Sequence, residues 1–181
     1  MDANLETRLR RLEDRAELGE LVARYALAVD DRDFATLAAL FTRDCIFDNV
    51  KGVEQGRERV VAYYRERLAE FGPTYHIPHM QTLDFDGPGA AKGTVMAHAE
   101  LAIDGATYAV ALRYIDDYRR EEGRWRFRER KVRQLYAMPL AELPEGLAQE
   151  LRKRWPGTEP SAGDWPVAPG TLHEAKQQGG L

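Results

Sequence analysis

The sequence predicts an α+β fold in which N-terminal helices pack into a strongly curved antiparallel sheet, forming a cone-shaped α+β barrel. Two observations carry this. Helical periodicity dominates as far as Phe71, and after Pro73 it gives way to long strand patterns separated by glycine-containing turns. A third follows from the first two: one sheet with only those helices to cover it must curl around them, which leaves a conical cavity between sheet and helices.

Leu5 to Asp30 reads as one long helix, with no proline and only Gly19 as a weak point. At about 100° per residue, Leu18, Val22, Tyr25, Ala26 and Val29 share a stripe, with Glu17, Glu20, Arg24 and Asp31 opposite. Asp33 is the expected N-cap of a short helix from Phe34 to Phe41. Cys45 to Val50 reads as a strand, and Gly56 to Phe71 as a third helix facing inward with Val60, Tyr63, Tyr64 and Leu68. Then come strands: His79 to Phe85, Ala91 to Ile103, Thr107 to Arg119 and Trp125 to Tyr136. Asp86-Gly87-Pro88-Gly89, Asp104-Gly105 and Glu121-Glu122-Gly123 turn them into successive hairpins. The chain divides into a domain over 1–139 and a C-terminal arm over 140–181. In the arm, Glu145 to Trp155 reads as a short helix and Lys176 to Leu181 as disordered. The arm is expected either to cover the pocket mouth or a partner, or to hang loosely.

Apolar residues make up 44% of the 181 and charged residues 31%, the balance of a globular protein. The net charge of −4 gives no general pull toward nucleic acid or anionic membranes. The basic run from Arg113 to Arg133 is interleaved with acids and reads as a solvated hairpin face. No segment is long and apolar enough to span a membrane, and the N-terminus lacks an apolar leader. A cytoplasmic location is the expectation. Cys45 is the only cysteine and reads as a buried strand thiol.

Asp30 is the inward member of the Asp30-Asp31 pair, at the edge of the apolar stripe, and a carboxylate there needs a partner. His76 and His79 flank Ile77-Pro78, and either is a candidate proton carrier. His79 shares strand parity with Gln81, Leu83 and Phe85 and is expected to face the cavity, with His76 on the rim. A metal held by the two histidines is not expected, because their spacing across Pro78 does not aim both rings at one ion. Tyr25 lies on the inward stripe. On the last strand Arg133 shares a face with Trp125, Phe127, Glu129 and Lys131, provided that no bulge intervenes. Val22, Val29, Phe41, Tyr64 and Leu83 are expected to line the pocket, with His98 behind them.

The run Tyr25-Ala26-Leu27-Ala28-Val29-Asp30-Asp31-Arg32-Asp33, the helix to Phe41, the His79 strand and the Gly123-Arg124-Trp125-Arg126-Phe127 hairpin together resemble the SnoaL-like branch of the nuclear-transport-factor-2-like (cystatin-like) superfamily, from about Leu12 to Pro139. The resemblance is nearest to the scytalone and bile-acid 7α-dehydratase group. It implies acid–base chemistry in a cone-shaped cavity without metal or cofactor. It also implies a catalytic Asp30–His79 pair aided by Tyr25 and Arg133, and a homodimer or homotrimer built through the sheet. The implied activity is a dehydratase or other eliminating lyase on a small, largely apolar cyclic molecule such as a steroid, terpenoid or polyketide. An isomerase or cyclase using the same base, and a non-catalytic ligand-binding or partner subunit, are the alternatives. Scytalone dehydratase has a second pocket histidine that His98 does not match in parity, so its substrate does not transfer.

Overall fold

The computed structural model describes residues 3–164. The elements are α1 (Ala3–Asp30), α2 (Phe34–Leu40), β1 (Phe41–Asn49), β2 (Gly52–Gln55), α3 (Arg57–Ala69), β3 (Thr74–Phe85), β4 (Ala90–Ile103), β5 (Ala106–Glu121) and β6 (Arg124–Pro139). A 3-10 turn (Leu140–Glu142) and α4 (Leu143–Gly146) follow. The six strands make one curved sheet in the order β2-β1-β6-β5-β4-β3. It stays open, with β2 and β3 as its edges. All neighbouring strands are antiparallel except β1 and β6, which run parallel.

Each helix end has a chemical cause. Asp33 caps α2 as expected, accepting from the Thr36 backbone N–H at 3.0 Å. Helix α1 stops because Arg32 adopts φ 55°, in the left-handed region, so that the Asp33 N–H closes back on Ala28 O at 2.9 Å. The hairpins β4–β5 and β5–β6 turn on Asp104-Gly105 and Glu122-Gly123, all with positive φ. Gly93 is needed for a different reason: a Cβ there would lie 2.6 Å from Thr82 O on the neighbouring strand.

The core lies between the helices and the concave face of the sheet. Leu18, Leu37, Phe41, Val60, Tyr118 and Phe127 are fully buried, and each such aliphatic or Phe side chain contributes about 1.5–3 kcal/mol. Asp14, also buried, pins α1 to the β5–β6 hairpin by accepting from Trp125 Nε1 at 3.0 Å and from Arg120.

Several expectations change. Strand β1 begins at Phe41 rather than Cys45, and β2 is a strand that the sequence pattern does not predict. Strand β3 begins at Thr74 rather than near His79, so both histidines lie within it. The arm is helical only over Leu143–Gly146, not Glu145 to Trp155. Its backbone is used elsewhere: Lys153 O accepts from the Ala137 N–H at 2.8 Å and the Asp164 N–H donates to Gln134 O at 3.0 Å. These bonds lay the arm along the end of β6. The expectation for Lys176 to Leu181 lies outside the described residues. No described helix is long and apolar enough to cross a membrane.

Candidate functional site

The concave side of the sheet holds an open cavity of about 110 Å³. Helices α1 and α3 supply Tyr25, Val29, Tyr63, Tyr64 and Arg67, and Phe71 follows α3; the sheet supplies Phe47, Asn49, His76, Leu112, Tyr114, Val132 and Gln134; Trp155 of the arm joins the lining. Trp155 packs on Phe71 with ring centroids 6.1 Å apart, and the Arg67 guanidinium lies 5.6 Å from its ring. The walls are apolar with a few polar atoms. Among these, Asn49 Nδ2 and Gln134 Oε1 are buried and have no hydrogen-bond partner among the described residues. A buried donor and a buried acceptor left open in one cavity are handles for a polar ligand atom.

Asp30 stands behind the cavity wall, where the end of α1 meets β3. Its Oδ1 accepts from His76 Nδ1 at 2.7 Å and from Thr74 Oγ1 at 2.8 Å, and its Oδ2 accepts from the His76 backbone N–H at 2.8 Å. Burial works to raise the Asp30 carboxyl, but the bonds and charge supplied by His76, with Thr74, outweigh it and hold it below the usual carboxylate range. An ionised Asp30 places the ring hydrogen of His76 on Nδ1 and leaves Nε2 as the basic atom. Arg32 fixes the junction, donating to Asp30 O at 2.7 Å, Thr74 Oγ1 at 3.0 Å and Gly72 O at 2.6 Å.

The pairing differs from the expected one. Asp30 holds His76, and His79 lies on the opposite face of β3, its Nε2 2.6 Å from His98 Nδ1. The cause is a bulge. Pro78 pairs with Ala97 and Met80 with Met96, so His79 is an extra residue and strand parity changes across it. Before the bulge Thr74 and His76 point inward; after it Gln81 and Leu83 do. Counting back from Leu83 without the bulge puts His79 inside. Pro78, in an edge strand, was the available signal.

Strand β6 repeats the lesson. Phe127 pairs with Tyr118 and Glu129 with Asp117, leaving Arg128 as the extra residue. Beyond it Arg130, Val132 and Gln134 turn inward, and Arg133 turns outward to pair with Asp48 at 2.5 Å. Arg133 is therefore not a cavity residue. Of the expected lining, Tyr25, Val29 and Tyr64 are in place. Phe41 and Leu83 pack in the core away from the cavity, Val22 lines a groove between α1 and β3, and His98 lies on the outer face of the sheet.

Arg130, which strand counting missed, is wholly buried behind the cavity floor. It makes a bidentate pair with the equally buried Asp116, 2.8 and 2.7 Å long. Its guanidinium carbon sits 4.1 Å from the ring centres of Tyr25 and Tyr114 and 3.9 Å from that of Phe127. Burial alone would make the guanidinium easier to deprotonate, yet Asp116 more than reverses this and keeps it charged. Burial raises the Tyr25 phenol, with Arg130 opposing; Tyr64 and Tyr114 rise further, through burial and then Tyr25. These hydroxyls stay protonated and act as donors. Tyr25 and Tyr64 share one hydrogen bond of 2.5 Å, which leaves one hydroxyl hydrogen of the pair for a third oxygen.

The geometry fits a recurring fold. The LinA structure is similar to this chain, with 25% identity and a TM-score of 0.71 over 74% of this chain and 94% of that one. Hexachlorocyclohexane dehydrochlorinase LinA-type3 from Novosphingobium barchaimii LL02 is 22% identical, with a TM-score of 0.70 over the same shares, 74% and 94%. A candidate scytalone dehydratase from Novosphingobium aromaticivorans DSM 12444 is 16% identical, with a TM-score of 0.71 over 88% of this chain and 98% of that one. No curated protein matches the sequence. Residues 10–131, from α1 into β6, match the family described as SnoaL-like domain. The chain therefore belongs to the SnoaL-like domain family, within the NTF2-like superfamily.

Proposed function

We propose that the protein is a cofactor-independent eliminating lyase in which His76, oriented by Asp30, takes a proton from carbon in a small, largely apolar cyclic substrate. The single observation that carries this is the 2.7 Å bond between His76 Nδ1 and Asp30 Oδ1, with the same imidazole lining an apolar cavity. The carboxylate fixes the tautomer and stabilises the imidazolium that forms. The C–H pair becomes the new C=C bond, and the leaving group departs from the adjacent carbon with its own bonding pair. When that group is hydroxide, His76 returns its proton and water leaves; when it is halide, the proton passes to solvent. The spare hydroxyl hydrogen of Tyr25–Tyr64 and the Asn49 amide meet negative charge developing on oxygen. Similarity to dehydrochlorinase and dehydratase structures supports the reaction class.

The cavity favours a substrate smaller than a steroid. Its volume of about 110 Å³ lies below the ~300–1,000 Å³ common for drug-sized ligands, which suits one ring with one or two polar substituents.

The test is turnover of a panel of cyclic β-hydroxyketones and vicinal halides, followed by product mass. Loss of water or hydrogen halide by the native protein, abolished in His76→Ala and retained in His79→Ala, is the expected result. Elimination that survives His76→Ala overturns the assignment. Retained mass with deuterium uptake from heavy water would mean isomerisation by the same base instead.

A further inference from the structure

The first half of α1 touches the body of the domain through Arg11, whose guanidinium lies 4.1 Å from the Phe85 ring centre, and is otherwise open to solvent. Every residue from 4 to 13 is exposed, and burial of the helix begins at Asp14. A helical stretch of that length is marginal alone in water, since segments under ~12–15 residues gain too little from propensity. Leu5, Leu9 and Leu12 are nevertheless 53%, 51% and 65% exposed on it. They belong to a longer seam. Leu5, Leu9, Leu12, Ala16, Gly19 and Ala23 recur at alternating steps of four and three, and all are exposed. At about 100° per residue this seam points nearly opposite to the face formed by Leu18, Tyr25 and Val29. A Cβ on Gly19 would meet nothing within 4 Å, so nothing from the described chain covers that point.

The flanks name the occupant. Glu6, Glu13 and Glu20 run along one edge of the seam, and Arg8 and Arg15 along the other. Two copies laid side by side in parallel set the basic edge of each against the acidic edge of the other: Arg8 faces Glu13 of the partner subunit, and Arg15 faces Glu20 of the partner subunit. An antiparallel pair would set like charges together. Arg15 already reaches Leu83 O at 3.3 Å, and Glu20 pairs with Arg24. Arg8 and Glu13 form no ion pair among the described residues, so theirs is the pair open to a partner. From Gly19 onward the seam borders the groove between α1 and β3, so the open part of the seam is its first half, at Leu5, Leu9 and Leu12.

We infer that α1 is the contact through which a second copy of this chain binds, as a parallel two-helix seam centred on Leu5, Leu9 and Leu12. This contact is separate from the sheet surface and does not depend on the proposed reaction. At a seam position of a parallel dimer each residue meets its own copy. A Leu12→Cys variant therefore forms an intermolecular disulfide under mild oxidation, seen as a covalent dimer on a non-reducing gel. Glu17→Cys, off the seam, is the control, and the native Cys45 is buried. Light scattering of Leu9→Glu/Leu12→Glu should show loss of this association. These side chains are exposed within the subunit, so circular dichroism should lose at most the helix of the first turns while the cooperative melt of the domain is retained. Arg8→Glu should weaken association about 2- to 10-fold, as expected for a pair of exposed ion pairs, and adding Glu13→Arg should restore it. A Leu12→Cys variant that cross-links no faster than Glu17→Cys overturns the inference, as does an assembly mass unchanged in Leu9→Glu/Leu12→Glu.

Discussion

The two histidines of β3 lie three residues apart and differ in their partners, although both border the groove between α1 and β3. His76 lies against the cavity, its Nδ1 tied to a carboxylate that also holds its backbone N–H. His79 lies on the outer face, in contact with another histidine. The first pair is complementary: a carboxylate that accepts from the ring and from its backbone N–H, set beside a pocket that can present a substrate. The second brings two like groups together, and burial followed by the charge of His79 depresses His98. Their difference teaches that a single extra residue in an edge strand decides which side chain can do chemistry. The sharpest test is therefore kinetic. His76→Ala should lower kcat about 10²–10⁴-fold, the range for loss of a general base, while His79→Ala leaves kcat within about 2-fold, as expected for a group that does not transfer the proton. Equal losses in both variants would break the distinction.

The same contrast recurs on β6 as a question of stability. Arg130 is buried with Asp116, whereas Arg133 pairs with Asp48 at the surface, with side chains 33% and 24% exposed. Arg130→Met strands a buried carboxylate and should cost about 3–5 kcal/mol. Arg133→Met should cost about 1 kcal/mol or less, as for other solvent-accessible ion pairs. Urea unfolding of both measures the difference. The double variant Arg130→Met/Asp116→Leu should recover much of the loss, because no buried charge then lacks a partner. A double variant no more stable than Arg130→Met would mean that the aromatic cage of Tyr25, Tyr114 and Phe127 depends on the guanidinium itself.

How much of this was legible follows from which features are local. The first three helices, the Asp33 cap and the Gly-containing turns are written in short runs of sequence, and they lie where the periodicity put them. Asp30 was readable as an inward carboxylate because a helix keeps its phase for many residues. A strand keeps phase only until a bulge, and the bulges at His79 and Arg128 each exchanged the two faces. That one mechanism misplaced His79 and Arg133, put His76 on the rim, and hid Arg130 and Gln134. Trp155 was hidden for another reason. The arm reaches the cavity through backbone bonds to β6, and those bonds carry no side-chain pattern.

Within the inner pair, Asp30→Asn separates orientation from charge. The amide can hold the ring but cannot stabilise the imidazolium, so kcat should fall about 10²-fold, less than on removing His76. The same substitution has a signature in acid. The Asp30 carboxyl is depressed in the folded state, so its contribution to stability is fully present above the unfolded carboxylate value of about 3.9 and is lost as pH falls through the lower folded value. Asp30→Asn should therefore flatten the acid limb of stability below about pH 4, where unfolded carboxylates take up protons. An unchanged limb in thermal melts across that range would mean that Asp30 is not held ionised by His76.

The outer pair should give the smallest effect, of opposite origin. His98 is depressed by burial and then by the charge of His79, so the folded protein binds its proton less readily than the unfolded chain does. Stability from this group is present above the unfolded histidine value of about 6.5 and falls as pH drops through the folded value. His98→Gln should make the melting temperature less sensitive to pH between about 7 and 5, with no change in turnover. His79→Ala should do the same in part, by removing the neighbouring charge. If turnover instead followed His98 across that range, protons would be reaching the cavity through the outer face of the sheet, and the separation of the two histidines by the β3 bulge would fail.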